Sequence, residues 1–178
     1  MCLVIIEGAR SSGKSYLISQ QQELPVFKFD FNTNFSYWEF KKDSTELHWF
    51  GLGKEIMLHE LKISLGLPKM IIDRGILTNS VWGVLQKRIS VRQAKKDLHN
   101  FNERGFFKGN KIVLINGNHK RPEGKDVWGD SRERILEEKY LFDMFFDFLQ
   151  GIGVDIIKFE NNIDNDSVNK FKNLIKKI

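Results

Sequence analysis

With a single cysteine, Cys2, the chain cannot close an internal disulfide, so an intracellular, cytoplasmic setting is expected. No apolar run approaches the ~20 residues of a membrane span, which argues against a membrane partner. The leading apolar run, "MCLVIIE", has no basic stretch before it and no small-residue cleavage site after it, so no signal peptide is expected. The four histidines have no metal-ligand spacing, and no zinc site is expected. Internal repeats, low-complexity tracts and dividing linkers are also missing. One domain over residues 1–178 is therefore expected, long enough to bury a real core.

What is present is an ordinary globular composition, 41% hydrophobic and 29% charged, with a net charge of +5. A mild positive balance permits anionic ligands, nucleotide or nucleic acid, without choosing between them. Short apolar runs alternate with longer amphipathic ones. "CLVIIE", "VFKFDF", "KMIID", "KIVLIN" and "VDIIKF" read as strands. "SYLISQQQ", "STELHWFGLGKEIMLHELKISLG", "ILTNSVWGVLQKR", "VRQAKKDLHNFNERG", "SRERILEEKYLFDMFFDFLQ" and "DSVNKFKNLIKKI" read as helices. Asp43 or Ser44 suits the N-cap of the second helix, and Gly66-Leu67-Pro68 its stop. Strands alternating with helices predict an α/β fold with a parallel sheet covered on both faces. The continuous apolarity of three strands agrees with burial on both sides. In such sheets ligands bind at the carboxyl ends of strands. Gly8, Asp30, Asp73 and Asn116 all stand at strand ends, so one pocket can collect them.

Gly8 to Ser15, "GARSSGKS", fits G-x-x-x-x-G-K-[ST] between a predicted strand and a predicted helix, the context that motif requires. The glycines let backbone N–H groups turn inward and cradle phosphate beside the positive end of the following helix. Gly8, Ala9, Arg10, Ser11, Ser12, Gly13, Lys14, Ser15 and Tyr16 are the expected ATP-binding stretch. Lys14 reaches the outer phosphates, and the Ser15 hydroxyl is a Mg²⁺ ligand. Asp73 in "IIDRG" is the second expected Mg²⁺ ligand, with Arg74 beside it to fork onto a phosphate or sugar oxygen. Asp30 in "KFDFN" is placed to accept the proton of an attacking hydroxyl, on a strand expected beside the one that carries the phosphate loop.

"HKRPEGKDVWGDSRER" carries His119, Lys120, Arg121, Lys125, Arg132 and Arg134 and reads as a basic loop over about 117–134 that can close on the triphosphate. Arg132 and Arg134, at a helix base, are the better catalytic candidates, because a helix end holds a side chain more firmly than a loop. Tyr37, Trp38 and Trp82 are candidate base contacts. Phe31, Phe35 and the phenylalanines of "YLFDMFFDFL" read as core. Lys87, Arg88, Arg92, Lys95 and Lys96 either line a nucleic-acid backbone or form a solvated helix surface.

These residues resemble the thymidylate kinase and deoxynucleoside kinase branch of P-loop kinases, over essentially the whole length. "GARSSGKS" matches the phosphate loop. "DRGILTNSVWG" is similar to the Asp-Arg motif and its helix. "HKRPEGKDVWGDSRER" stands where the family carries an arginine-bearing lid. "RILEEKYLFDMFFDFL" matches the helix after the lid, and "GVDIIKFENNID" the last strand and adenine-side loop. The resemblance implies a P-loop NTPase fold, a five-stranded parallel sheet with the phosphate-loop strand central, with ATP and Mg²⁺ as cofactors and Arg121 on the ATP side. Where thymidylate kinases carry an arginine-rich turn, this chain reads "FKFDFNTNF", with no arginine. An acid there is closer to the deoxynucleoside kinases, in which it serves as base for a hydroxyl. The chain is short for that group, so reduced substrate-covering helices are expected. The expected reaction moves the γ-phosphate of ATP to a hydroxyl of a nucleoside- or nucleotide-type substrate. A hydroxyl within DNA or RNA, a thymidylate-like monophosphate acceptor, and a switch or ATPase without acceptor stay open, as does a homodimer.

Overall fold

Placed in a computed structural model, the chain is described over residues 2–21, 23–28, 45–66, 69–117 and 132–178. Five strands are found there: β1 (Cys2–Glu7), β2 (Val26–Lys28), β3 (Lys69–Asp73), β4 (Lys111–Asn116) and β5 (Ile156–Glu160). With them come six helices: α1 (Lys14–Ser19), α2 (Thr45–Leu65), α3 (Ile76–Leu85), α4 (Val91–Glu103), α5 (Arg132–Gly151) and α6 (Asn165–Lys177). The strands form one parallel sheet in the order β2-β3-β1-β4-β5. The expected α/β fold and the central phosphate-loop strand are both found.

One expectation is corrected. β2 does not neighbour β1; β3 lies between them. β2 is an edge strand, and its burial alternates where β1 is buried almost throughout. The edge leaves it with one partner strand, so it lacks the continuous apolarity of the central three. Its predicted continuation through Phe31 lies outside the described residues, as do the proposed caps Asp43 and Ser44.

Period-two alternation divides β1 between two layers of core. Leu3 and Ile5 face a cluster with Ile76, Leu77, Val81, Leu98, Phe142, Phe145 and Leu149 from α3, α4 and α5. Val4 and Ile6 face Leu17, Ile18, Val168, Phe171 and Ile175 from α1 and α6. The expected core role of the α5 phenylalanines holds: Phe142, Phe145 and Phe146 are buried, and Phe148 is half-buried against the same cluster.

Register places the site. Ile6 pairs with Asp73, Lys28 also pairs with Asp73, Glu7 pairs with Leu114, and Asn116 pairs with Glu160. Glu7, Asp73, Asn116 and Glu160 therefore end their strands along one edge of the sheet, the edge from which the phosphate loop departs. No helix among the described residues is long and apolar enough to cross a membrane.

Candidate active site

The loop begins where β1 passes close to β4. Gly8 has φ 137°, and a Cβ added there would stand 2.4 Å from the Ile115 carbonyl oxygen. Only glycine fits that backbone and that gap. Ser11 is also left-handed, at φ 62°. Beyond β5, Asn161 braces the loop: its Nδ2 donates to the Ser12 carbonyl at 2.9 Å, and its own N–H donates to the Asn116 carbonyl at 2.7 Å. Asn161 is buried. A role for it was not legible in the sequence beyond its position just after the last strand.

Lys14 is buried, and its ammonium is folded back onto the loop. Nζ donates to the carbonyls of Gly8 (2.6 Å) and Ala9 (2.8 Å) and to Ser12 Oγ (3.3 Å). Burial pushes its pKa down to about 7. The Arg74 charge lowers it further, while Glu138, Asp73 and Glu7 oppose. The Lys14 ammonium, read from the sequence as a contact to the outer phosphates, is thus held where its charge is costly, among carbonyls that an anion could displace. Ser15 is exposed at the start of α1, and Tyr16 is 41% exposed.

Arg10, part of the expected ATP-binding stretch, is tied to α5. Its backbone N–H donates to Glu138 Oε1 at 3.1 Å and its Nε to Oε2 at 2.7 Å. Its guanidinium lies 4.8 Å from the Trp82 ring centroid, and that of Arg134 lies 6.0 Å from it. Trp82, a candidate base contact, therefore carries two cations near its face. Glu138 is fully buried and was not singled out in the sequence. The signal for it was a carboxylate one turn before Phe142 on the apolar side of a helix.

The β3 end supplies the facing wall. Asp73 is 3% exposed, and its Oδ1 has no hydrogen bond among the described residues. A buried carboxylate oxygen left open beside a phosphate loop fits Mg²⁺, which takes one or two carboxylates and completes its shell with phosphates and water. The described residues hold no cluster of three or more His, Cys, Asp or Glu suited to a metal. Arg74 follows in the left-handed region at φ 71°, a conformation that costs a non-glycine residue about 1–3 kcal/mol and persists only where neighbours enforce it. Its N–H donates to the Ile6 carbonyl at 3.0 Å. At Gly75 a Cβ would meet Ile5 Cγ2 at 2.5 Å.

Glu7 closes the arrangement from the other side. Fully buried, its carboxylate receives the N–H groups of Gly75 (3.0 Å), Leu77 (2.9 Å) and Thr78 (3.2 Å) and the Thr78 hydroxyl (2.5 Å). Burial raises its pKa to about 7, the Thr78 hydroxyl opposes, and Glu55 adds to the rise. Glu55 is itself buried and paired with Lys54 at 2.8 Å. Both carboxylates lie close to Gly75. None of Glu7, Lys54 and Glu55 was read as part of a site from the sequence.

Lys14, Arg74, Asp73 and the loop are therefore brought to one place. Asp30, Arg121, Tyr37 and Trp38 lie outside the described residues, as does the basic loop from 118 to 131. Arg132 opens α5. Of the second basic region, Arg92 and Lys96 are exposed on α4, while Lys95 sits 5.4 Å from the Phe148 ring centroid.

Among solved structures, the chain is similar to a deoxyadenosine kinase from M. mycoides with products dCMP and a flexible dCDP bound. The TM-score is 0.64 at 15% identity, covering 99% of this chain and 100% of that one. It is similar to a thymidylate kinase from Candida albicans, with TM-score 0.64 at 16% identity, covering 98% and 91%. A thymidylate kinase from Ehrlichia chaffeensis gives 0.58 at 14% identity, covering 99% and 97%. The chain has the fold of a P-loop kinase. It is the branch, thymidylate and deoxynucleoside kinases, that the loop, the Asp-Arg turn and the helix after the lid resemble. No protein-family model and no curated protein matches the chain. In this P-loop kinase fold the carboxyl edge of the sheet is where Lys14, Asp73 and Arg74 converge.

Proposed function

We propose that this protein is an ATP- and Mg²⁺-dependent phosphotransferase that moves the γ-phosphate to a hydroxyl of a nucleoside- or nucleotide-type acceptor. One observation carries the reading: a glycine-framed loop presents Lys14 beside Arg74 and beside an open Asp73 oxygen, on a fold otherwise found in nucleoside and nucleotide kinases.

The loop N–H groups and the start of α1 hold the phosphates. Lys14 leaves the Gly8 and Ala9 carbonyls for phosphate oxygens. A dianionic neighbour restores the proton that burial loosens, so the lysine is charged when it is needed. Ser15 and Asp73 hold Mg²⁺, which supplies neutralising charge on the phosphates. Arg74 bears on the transferring group, and Arg132 and Arg134, at the start of α5, are the further catalytic candidates. Asp30 takes the acceptor's proton late in the transfer.

The test is a panel. ATP labelled at the γ-position is offered with Mg²⁺ and, in turn, nucleosides, nucleoside monophosphates, and DNA or RNA ends. Label transferred to a nucleoside or nucleotide supports the reading. Label released as free phosphate whatever acceptor is present overturns it in favour of a switch or ATPase.

A further inference from the structure

We propose that Glu7 is a positioning residue: its carboxylate fixes the Asp73-Arg74-Gly75 turn against the strand that launches the phosphate loop, and so holds the Arg74 charge beside Lys14. The role rests on the phosphotransferase reading above.

The geometry is specific. Glu7 is the last residue of β1 and the one before Gly8, so whatever it holds is registered to the loop. It holds four donors at once, the N–H groups of Gly75, Leu77 and Thr78 and the Thr78 hydroxyl. An ionised carboxylate only accepts, with two oxygens to share among four donors, which is the chemistry this cluster requires. Arg74 sits between two anchors, its own N–H on the Ile6 carbonyl and the next N–H on Glu7. Those anchors enforce its left-handed backbone. Gly75 lets the carboxylate approach, since a Cβ there would lie 3.2 Å from Glu7 Oε1. The Arg74 charge in turn bears on Lys14. The Glu7 carboxylate is taken up by the four donors of the turn. It acts through the turn.

Glu7 also satisfies the first N–H groups of α3, and a cap alone would affect stability without touching turnover. A cycle on the full-length protein separates the two roles, with the acceptor found by the panel. Glu7→Gln keeps the shape but presents an amide N–H₂ to donors, while Arg74→Ala removes the guanidinium. Temperatures are chosen at which circular dichroism shows every variant folded. Glu7→Gln is expected to lower kcat about 100-fold, the usual effect of displacing a positioned group by about 1 Å, with affinity for a fluorescent ATP analogue within a few-fold of wild type. The double variant is expected to be no slower than Arg74→Ala alone, since the two residues act as one unit. Thr78→Val, which removes one donor, is expected to move kcat the same way by less, and it takes the place of Glu7→Gln in the cycle if that variant does not fold. Losses that multiply in the double variant, or an unchanged kcat with only a lower melting temperature, overturn the role. If wild type transfers phosphate while the cycle is multiplicative, this inference alone fails. If wild type transfers none, the phosphotransferase reading fails and the role goes with it.

Discussion

Replacing Lys14 by methionine should change stability in a way that depends on pH, and the size follows from its surroundings. In the folded protein Lys14 titrates at about 7 against an ordinary 10.5. A lowered lysine means that folding disfavours the charged form. At about pH 6 both folded and unfolded chains carry the proton, and the full penalty applies, about 5 kcal/mol for a shift of this size. Between about 7 and 10.5 the unfolded chain binds the proton and the folded chain does not, so stability rises with pH. At about pH 9 the remaining penalty is about 2 kcal/mol, since only the distance from 9 to 10.5 still counts. Methionine fills similar volume and carries no proton. The stability of Lys14→Met relative to wild type should therefore be highest at about pH 6 and fall by about 3 kcal/mol on going to about pH 9. Loss of the bonds to Gly8, Ala9 and Ser12 offsets the curve but not its slope. Urea unfolding of both proteins at a series of pH values reads the difference directly. Curves that stay parallel within about 1 kcal/mol would refute the burial argument. In the same experiment, saturating ATP with Mg²⁺ should stabilise wild type by about 3 kcal/mol at a hundredfold excess over Kd and the variant far less.

Three further outcomes are expected. Asp73→Asn should lower turnover about 10–100-fold and raise the Mg²⁺ concentration needed for half-maximal rate, with partial recovery in excess Mg²⁺; an unchanged Mg²⁺ profile would remove Asp73 from the metal site. Gly75→Ala, whose Cβ would lie 2.5 Å from Ile5 Cγ2 in the core, should cost about 1–3 kcal/mol, read as a melting temperature lower by about 2–4 °C per kcal/mol. Asp30→Asn should lower kcat about 10²–10⁴-fold with ATP affinity nearly unchanged, measured with the acceptor the panel identifies; a kcat within a few-fold of wild type would remove the base and favour a phosphate acceptor.

What the amino-acid sequence determined by itself is what short-range physics encodes. Continuous apolar runs announced strands buried on both faces, and β1, β3 and β4 are those strands. Gly8, Gly13, Lys14 and Ser15 announced a phosphate loop because the loop is built from local backbone, whose conformational needs are written in consecutive residues. The helix α5 was legible from its apolar face, which Phe142 and Phe145 bury. The rest needed the chain to return to itself. β3 inserts between β1 and β2, and neither run of residues carries the strand order. Glu138 holds Arg10 across 128 positions, and Glu7 holds Gly75 across 68. A carboxylate reads as surface in a sequence because burying one is costly. Only the tertiary structure supplies the donors that offset the cost, and with them the reason Glu7 and Glu138 stand inside.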